Sequence, residues 1–100
     1  MSSDRIQRLL SAMTLTEKIQ LTHGAADTDG TATGFVPGID AHGVPDVRLT
    51  DGPLGVRTDE PATAFPASLV LSSTFDPELA REFGQALGRE AKARNQDVLL

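Results

Sequence analysis

From Pro45 onward the chain presents one order of elements: short strand, long loop, long helix, second strand. Pro45-Asp46-Val47-Arg48-Leu49-Thr50 alternates apolar and polar residues as a strand does, and it stops at the turn-forming cluster Asp51-Gly52-Pro53. Residues 52–66 carry no periodicity and are expected to be loop, so that strand and loop together fill 45–66. Leu69-Val70-Leu71 is a short apolar run that suits a strand or a turn. Asp76-Pro77-Glu78 marks a helix start: an N-cap, proline at the first helical position and an acidic first turn. Leu79, Phe83, Ala86, Leu87 and Ala91 form one apolar stripe along a helix over 77–94. Lys92 and Arg94 suit its negative end, and Asn95 can stop it. Residues 97–100 begin the next strand. This order predicts an α/β fold with a parallel sheet. Parallel sheets are covered on both faces, whereas one strand–helix unit and half a further strand leave open edges. The expectation is a piece of a longer chain.

Two leading helices are expected within 3–23. Ser3 or Asp4 can cap the first, in which Ile6, Leu9, Leu10 and Met13 fall on one face. Thr14-Leu15-Thr16-Glu17 has capping-box spacing and opens the second. Ile19 continues its apolar side, and Gly24 is the expected terminator. Residues 24–38 are punctuated by Gly24, Asp27, Asp29, Gly30, Gly34, Pro37 and Gly38 and are expected to be loop. There is no internal repeat and no low-complexity segment.

Composition removes several classes of function. The formal net charge is −5 and no basic patch is dense enough for a phosphate backbone, so no nucleic-acid partner is expected. The chain has no cysteine, which removes disulfides, thiolate catalysis and cysteine-based zinc sites together. Met1-Ser2-Ser3-Asp4-Arg5 leads into an amphipathic pattern without an apolar stretch, so no signal peptide is expected. The apolar runs are far below membrane-span length. A soluble, cytoplasmic chain without a membrane partner is the expectation.

Asp51 and Arg57 are the candidate binding residues. Asp51 sits where a strand ends and a Gly-Pro turn begins, and in α/β barrels a polar residue at that place faces the active-site mouth. A carboxylate there can accept bonds from two neighbouring hydroxyls, each worth about 1.5–3 kcal/mol. The same carboxylate can instead close an Asx-turn. Arg57, in the same loop, can fix that carboxylate, contact a ligand directly, or stand as a solvated surface arginine. His23 and His42 lack metal-ligand spacing, and no metal site or cofactor is expected. Asp27-Thr28-Asp29-Gly30 fails as a calcium loop, because Ala25 and Val36 would occupy ligand positions. Gly52-Pro53-Leu54-Gly55 is no phosphate cradle. Ser72 and Ser73 have no histidine at a recognisable spacing.

Taken together these segments resemble family 3 glycoside hydrolases of the β-glucosidase type. The resemblance runs through Arg5-Ile6-Gln7-Arg8-Leu9-Leu10 and Met13-Thr14-Leu15-Thr16-Glu17-Lys18-Ile19. It is sharpest at Val47-Arg48-Leu49-Thr50-Asp51-Gly52-Pro53-Leu54-Gly55-Val56-Arg57. It continues through Ala64-Phe65-Pro66-Ala67-Ser68, Ser73-Thr74-Phe75-Asp76-Pro77 and Gly84-Gln85-Ala86-Leu87-Gly88-Arg89-Glu90. Only the 24–38 loop falls outside it. The resemblance implies the N-terminal portion of a (β/α)8 TIM-like barrel, incomplete in this chain, followed in the parent by an α/β sandwich domain. It implies a parent that is a retaining, exo-acting β-glucosidase, hydrolysing terminal non-reducing β-D-glucosyl residues of β-glucosides or oligosaccharides.

In that family Asp51 would bind hydroxyls of the sugar in subsite −1, and Arg57 would line the same subsite. Asp40-Ala41-His42-Gly43 is similar to a motif of another branch in which an Asp binds the sugar. Asp51 fits better, because it ends a strand and the full loop signature follows. Neither the nucleophile nor the acid/base implied by the family falls within residues 1–100, so no catalytic residue is assigned here and the chain alone is expected to be inactive. Retaining pairs stand about 5–5.5 Å apart, and no local carboxylate is promoted to fill either role. With four Phe, no Trp and no Tyr, a ring that stacks on the sugar would come from elsewhere. Two other readings compete: a non-catalytic truncated product, and a small helical binding module. The latter leaves the strand before Asp51 with no sheet to join.

Overall fold

Capping chemistry sets the first elements of the computed structural model, which describes residues 3–100. Helix α1 spans Ser3–Ala12. Ser3 and Asp4 stand in its first turn, and the position that would cap it lies outside the described residues. Helix α2 spans Leu15–Gln20 and carries the expected capping box in full. Glu17 N–H donates to Thr14 Oγ1 at 3.3 Å, and Thr14 N–H donates to Glu17 Oε2 at 2.7 Å. The helix ends at Leu21, ahead of Gly24, because Leu21 N–H and Thr22 N–H already close its last carbonyls. Bonds from the Thr14 backbone and hydroxyl, with His42 at 3.4 Å, hold the Glu17 carboxyl below its ordinary value despite some burial. A lowered carboxyl stabilises the fold above its unfolded value, and that contribution is lost as pH falls through the folded one. Acid titration followed by circular dichroism should therefore show helix signal lost as pH falls below the ordinary glutamate value, and Glu17→Gln should flatten that acid limb.

Three strands form one mixed sheet in the order β1-β2-β3. Strand β1 is Gly34–Val36, β2 is Val47–Thr50 and β3 is Val98–Leu99. β2 and β3 are parallel, with Leu49 opposite Val98 and Thr50 opposite Leu99, as the order of elements predicts. β1 corrects the reading of 24–38 as loop. It pairs antiparallel to β2, with Phe35 opposite Arg48 and the Arg48 guanidinium 5.1 Å from the Phe35 ring centroid. Three residues are too few to show a period of two; the strand exists because β2 offers it an edge. That sheet also answers the objection to an isolated strand before Asp51.

Between β2 and β3 lie helix α3, Ser68–Ser72, and helix α4, Pro77–Ala93. α3 corrects the strand or turn expected at Leu69-Val70-Leu71. Its carbonyls are taken by hydroxyls from the same neighbourhood: Ser72 to Ser68, Ser73 to Val70 and Thr74 to Leu71. The turn itself is closed by Val70 N–H and Leu71 N–H to the Ala67 carbonyl and by Ser73 N–H to the Leu69 carbonyl. α4 follows its signature: Asp76 Oδ1 accepts from Glu78 N–H and Leu79 N–H, and Pro77 takes the first position. Asn95, at φ 55°, turns the chain out of the helix in the left-handed region.

Side chains alternate across β2. Arg48 and Leu99 line a cleft with Gly88 and Ala91 of α4, so the Arg48–Thr50 side faces the helix. Val47, Leu49 and Val98 face the other way. Buried apolar residues are few (Met13, Ile39, Val56 and Ala91), while Leu69 is 80 % and Phe75 91 % exposed. The radius of gyration is 17.0 Å, against about 13 Å for a compact domain of this length. The segment is thus an open α/β piece, with apolar faces that its own residues leave uncovered.

Candidate functional site

Asp51 follows the last residue of β2, and the loop after it folds back over the strand end. Arg57 N–H donates to the Asp51 carbonyl at 2.9 Å, and Arg57 Nη1 donates to Asp51 Oδ2 at 3.1 Å. Of the choices open to Arg57 from sequence, the one observed is contact with Asp51. Asp51 is 37 % and Arg57 76 % exposed at the side chain, so both keep polar atoms free for a ligand. Asp51 makes no Asx-turn among the described bonds; its carboxylate is held by the guanidinium. Continuing the alternation of β2 places its side chain on the Val47–Leu49 side, away from α4.

The loop is fastened at several points beyond this pair. Gly55 N–H donates to the Gly52 carbonyl at 3.4 Å and Phe65 N–H to the Leu54 carbonyl at 2.8 Å. Gly55 adopts φ 130°, and a Cβ there would overlap the Thr63 carbonyl oxygen. Val56, within the loop, is buried. Phe65 packs edge-on against Phe83 of α4, with ring centroids 5.0 Å apart. Thr63 N–H donates to Glu90 Oε1 at 2.9 Å; the same oxygen pairs with Arg94 Nη1 at 3.0 Å, and Arg94 also donates to the Pro61 carbonyl. The sequence shows Arg94 only as suiting the negative end of the helix, and the structure shows it paired i, i+4 with Glu90. Their second role, holding the loop to α4, needs contacts across 27 or more residues.

A second polar cluster sits beside Arg48. Asp27 accepts backbone bonds from Asp29, Thr31 and Ala32 and one from the Thr31 hydroxyl. Burial presses its carboxyl upward, but these bonds outweigh it and hold the group below its ordinary range. Arg48 pairs with Asp29 at 3.1 Å and lies 3.8 Å from Asp27. The segment that fails as a calcium loop is thus a turn closed by its own backbone. His42 lies against Glu17, and His23 Nδ1 lies 3.1 Å from the Gly24 carbonyl. Asp40 lies in a short 3-10 turn, Asp40–His42.

A carboxylate held by a guanidinium thus stands at the carboxyl end of a strand of a parallel pair, the end at which α/β barrels gather their active sites. No protein-family model matches the chain. A probable β-glucosidase F of Aspergillus flavus is 40 % identical over 97 residues, covering 97 % of this chain and 11 % of that protein. The structure of DesR, a β-glucosidase from Streptomyces venezuelae in complex with D-glucose, matches with a TM-score of 0.91 and 41 % identity, over 99 % of this chain and 13 % of that one. β-Glucosidase 3B from Thermotoga neapolitana, in complex with glucose, matches at 0.87 and 33 % identity, over 96 % and 16 %. By these matches the chain is similar to one segment of family 3 glycoside hydrolases of the β-glucosidase type. It spans about a tenth of the length of the curated relatives it matches.

Proposed function

We propose that this segment supplies part of the subsite −1 wall in a retaining, exo-acting β-glucosidase, built as the first portion of a (β/α)8 barrel. The observation that carries the reading is the Asp51–Arg57 pair at the carboxyl end of β2, where barrels gather their active sites. Asp51 accepts bonds from neighbouring hydroxyls of the non-reducing glucosyl residue, and Arg57 orients that carboxylate and lines the same subsite. The glucose complexes of the two bacterial β-glucosidases support a sugar as ligand.

The barrel reading is supported by the parallel β2–β3 pair and the helix between its strands. Val47, Leu49 and Val98 are branched residues on the side away from α4, the kind that fill barrel interiors in layers. The remainder of the barrel and the following α/β sandwich domain cover the exposed apolar faces and bring the nucleophile and the acid/base. The segment contributes binding energy, and the two carboxyl groups of the reaction come from elsewhere in the parent.

The experiment compares this 100-residue chain with a full-length enzyme carrying it, on 4-nitrophenyl β-D-glucoside, with circular dichroism melting alongside. Activity is expected in the full-length enzyme alone, with the short chain melting without cooperativity. Turnover by the short chain would overturn the assignment of both catalytic carboxyl groups to other parts of the parent.

A further inference from the structure

Thr50 is fully buried, at 0 % exposure, and it is polar. A buried hydroxyl is costly unless it is bonded. Thr50 Oγ1 donates its single proton to the Arg57 carbonyl, with the Asp51 carbonyl 3.3 Å away. Arg57 N–H donates to that Asp51 carbonyl at 2.9 Å. The peptide groups on both sides of the Arg57 Cα are therefore tied to Thr50-Asp51. Thr50 is itself fixed, since its carbonyl accepts from Leu100 N–H at 2.9 Å beside β3. A valine would fill the same space, so packing alone gives no reason for a hydroxyl here.

We propose that Thr50 is a positioning residue for the Asp51–Arg57 pair. Its hydroxyl latches the Arg57 backbone over the end of β2, so that a long, flexible side chain on an exposed loop starts from a fixed Cα and meets the Asp51 carboxylate. Pre-setting the Cα removes much of the freedom that the guanidinium would otherwise lose on aligning. The proposal rests on the sugar-binding reading of that pair.

The test is made in a full-length β-glucosidase carrying this segment, with 4-nitrophenyl β-D-glucoside as substrate. Thr50→Val should lower kcat/KM about tenfold, the effect of one lost bond. Thr50→Ser, which keeps the hydroxyl, should restore it to within about twofold. In an Arg57→Ala background, Thr50→Val should add little, because no guanidinium remains to position. An equal loss in both backgrounds means that Thr50 serves only general stability and overturns the proposal. Wild-type kinetics for Thr50→Val beside an impaired Asp51→Ala overturns the latch while leaving the sugar-binding reading intact. Wild-type kinetics for Asp51→Ala removes that reading and the latch with it. If Thr50→Val does not fold, Thr50→Cys, similar in volume but a weak donor, takes its place. Intermediate activity is expected from it, and wild-type activity overturns the proposal.

Discussion

Asp51→Ala in a full-length enzyme carrying this segment should lower kcat/KM on aryl β-glucosides by roughly 10²–10³-fold. The side chain is part exposed, beside Arg57 and at the end of β2, so its removal deletes ligand bonds without opening a core cavity. Two bonds to a charged group, each about 1.5–3 kcal/mol, account for a loss of this size. The fold should stay near wild type, because the loop keeps its backbone bonds from Arg57 to Asp51 and from Phe65 to Leu54. Steady-state kinetics with melting on the same samples check both halves. Unchanged activity would rule out a binding role for Asp51.

Gly55→Ala is expected to have the largest effect on the fold itself. Gly55 sits at φ 130°, where a side chain is strained, and a Cβ would run into the backbone oxygen of Thr63. The obstacle is main chain, and Thr63 is in turn held by Glu90 of α4, so it cannot swing aside as a side-chain tip would. Strain and overlap together should cost about 2–5 kcal/mol. The readout is a lower denaturation midpoint of the full-length enzyme with weaker competitive inhibition by glucose, since Arg57 is carried two residues away on the same loop. A midpoint equal to wild type would mean that the loop has another conformation of similar energy.

Local rules carried much of the fold. The capping box at Thr14, the Asp76-Pro77-Glu78 start of α4 and the stop at Asn95 each need only neighbouring residues, and each appears where its spacing puts it. The parallel pairing of β2 with β3 followed from the order of elements. β1 and α3 were not legible. Gly34–Val36 is a strand only because β2 lies alongside, and Ser68–Ser72 is a five-residue helix too short for its apolar run to show a helical period.

Asp51 stood out in the sequence because it ends a strand at a Gly-Pro turn, and Arg57 because it lies in the same loop, while an Asx-turn and a solvated surface arginine stayed open for them. The sequence by itself determined the helix starts at Thr14 and Asp76, the stop at Asn95 and the parallel pairing of β2 with β3, since such features depend on short-range sterics, hydrogen bonding and the order of elements. Only the tertiary structure decided that Arg57 faces Asp51, that Thr50 holds both ends of that turn, and that Glu90 and Arg94 fasten the loop to α4. Those contacts join residues whose meeting depends on how the chain returns on itself, and no period or spacing encodes that return.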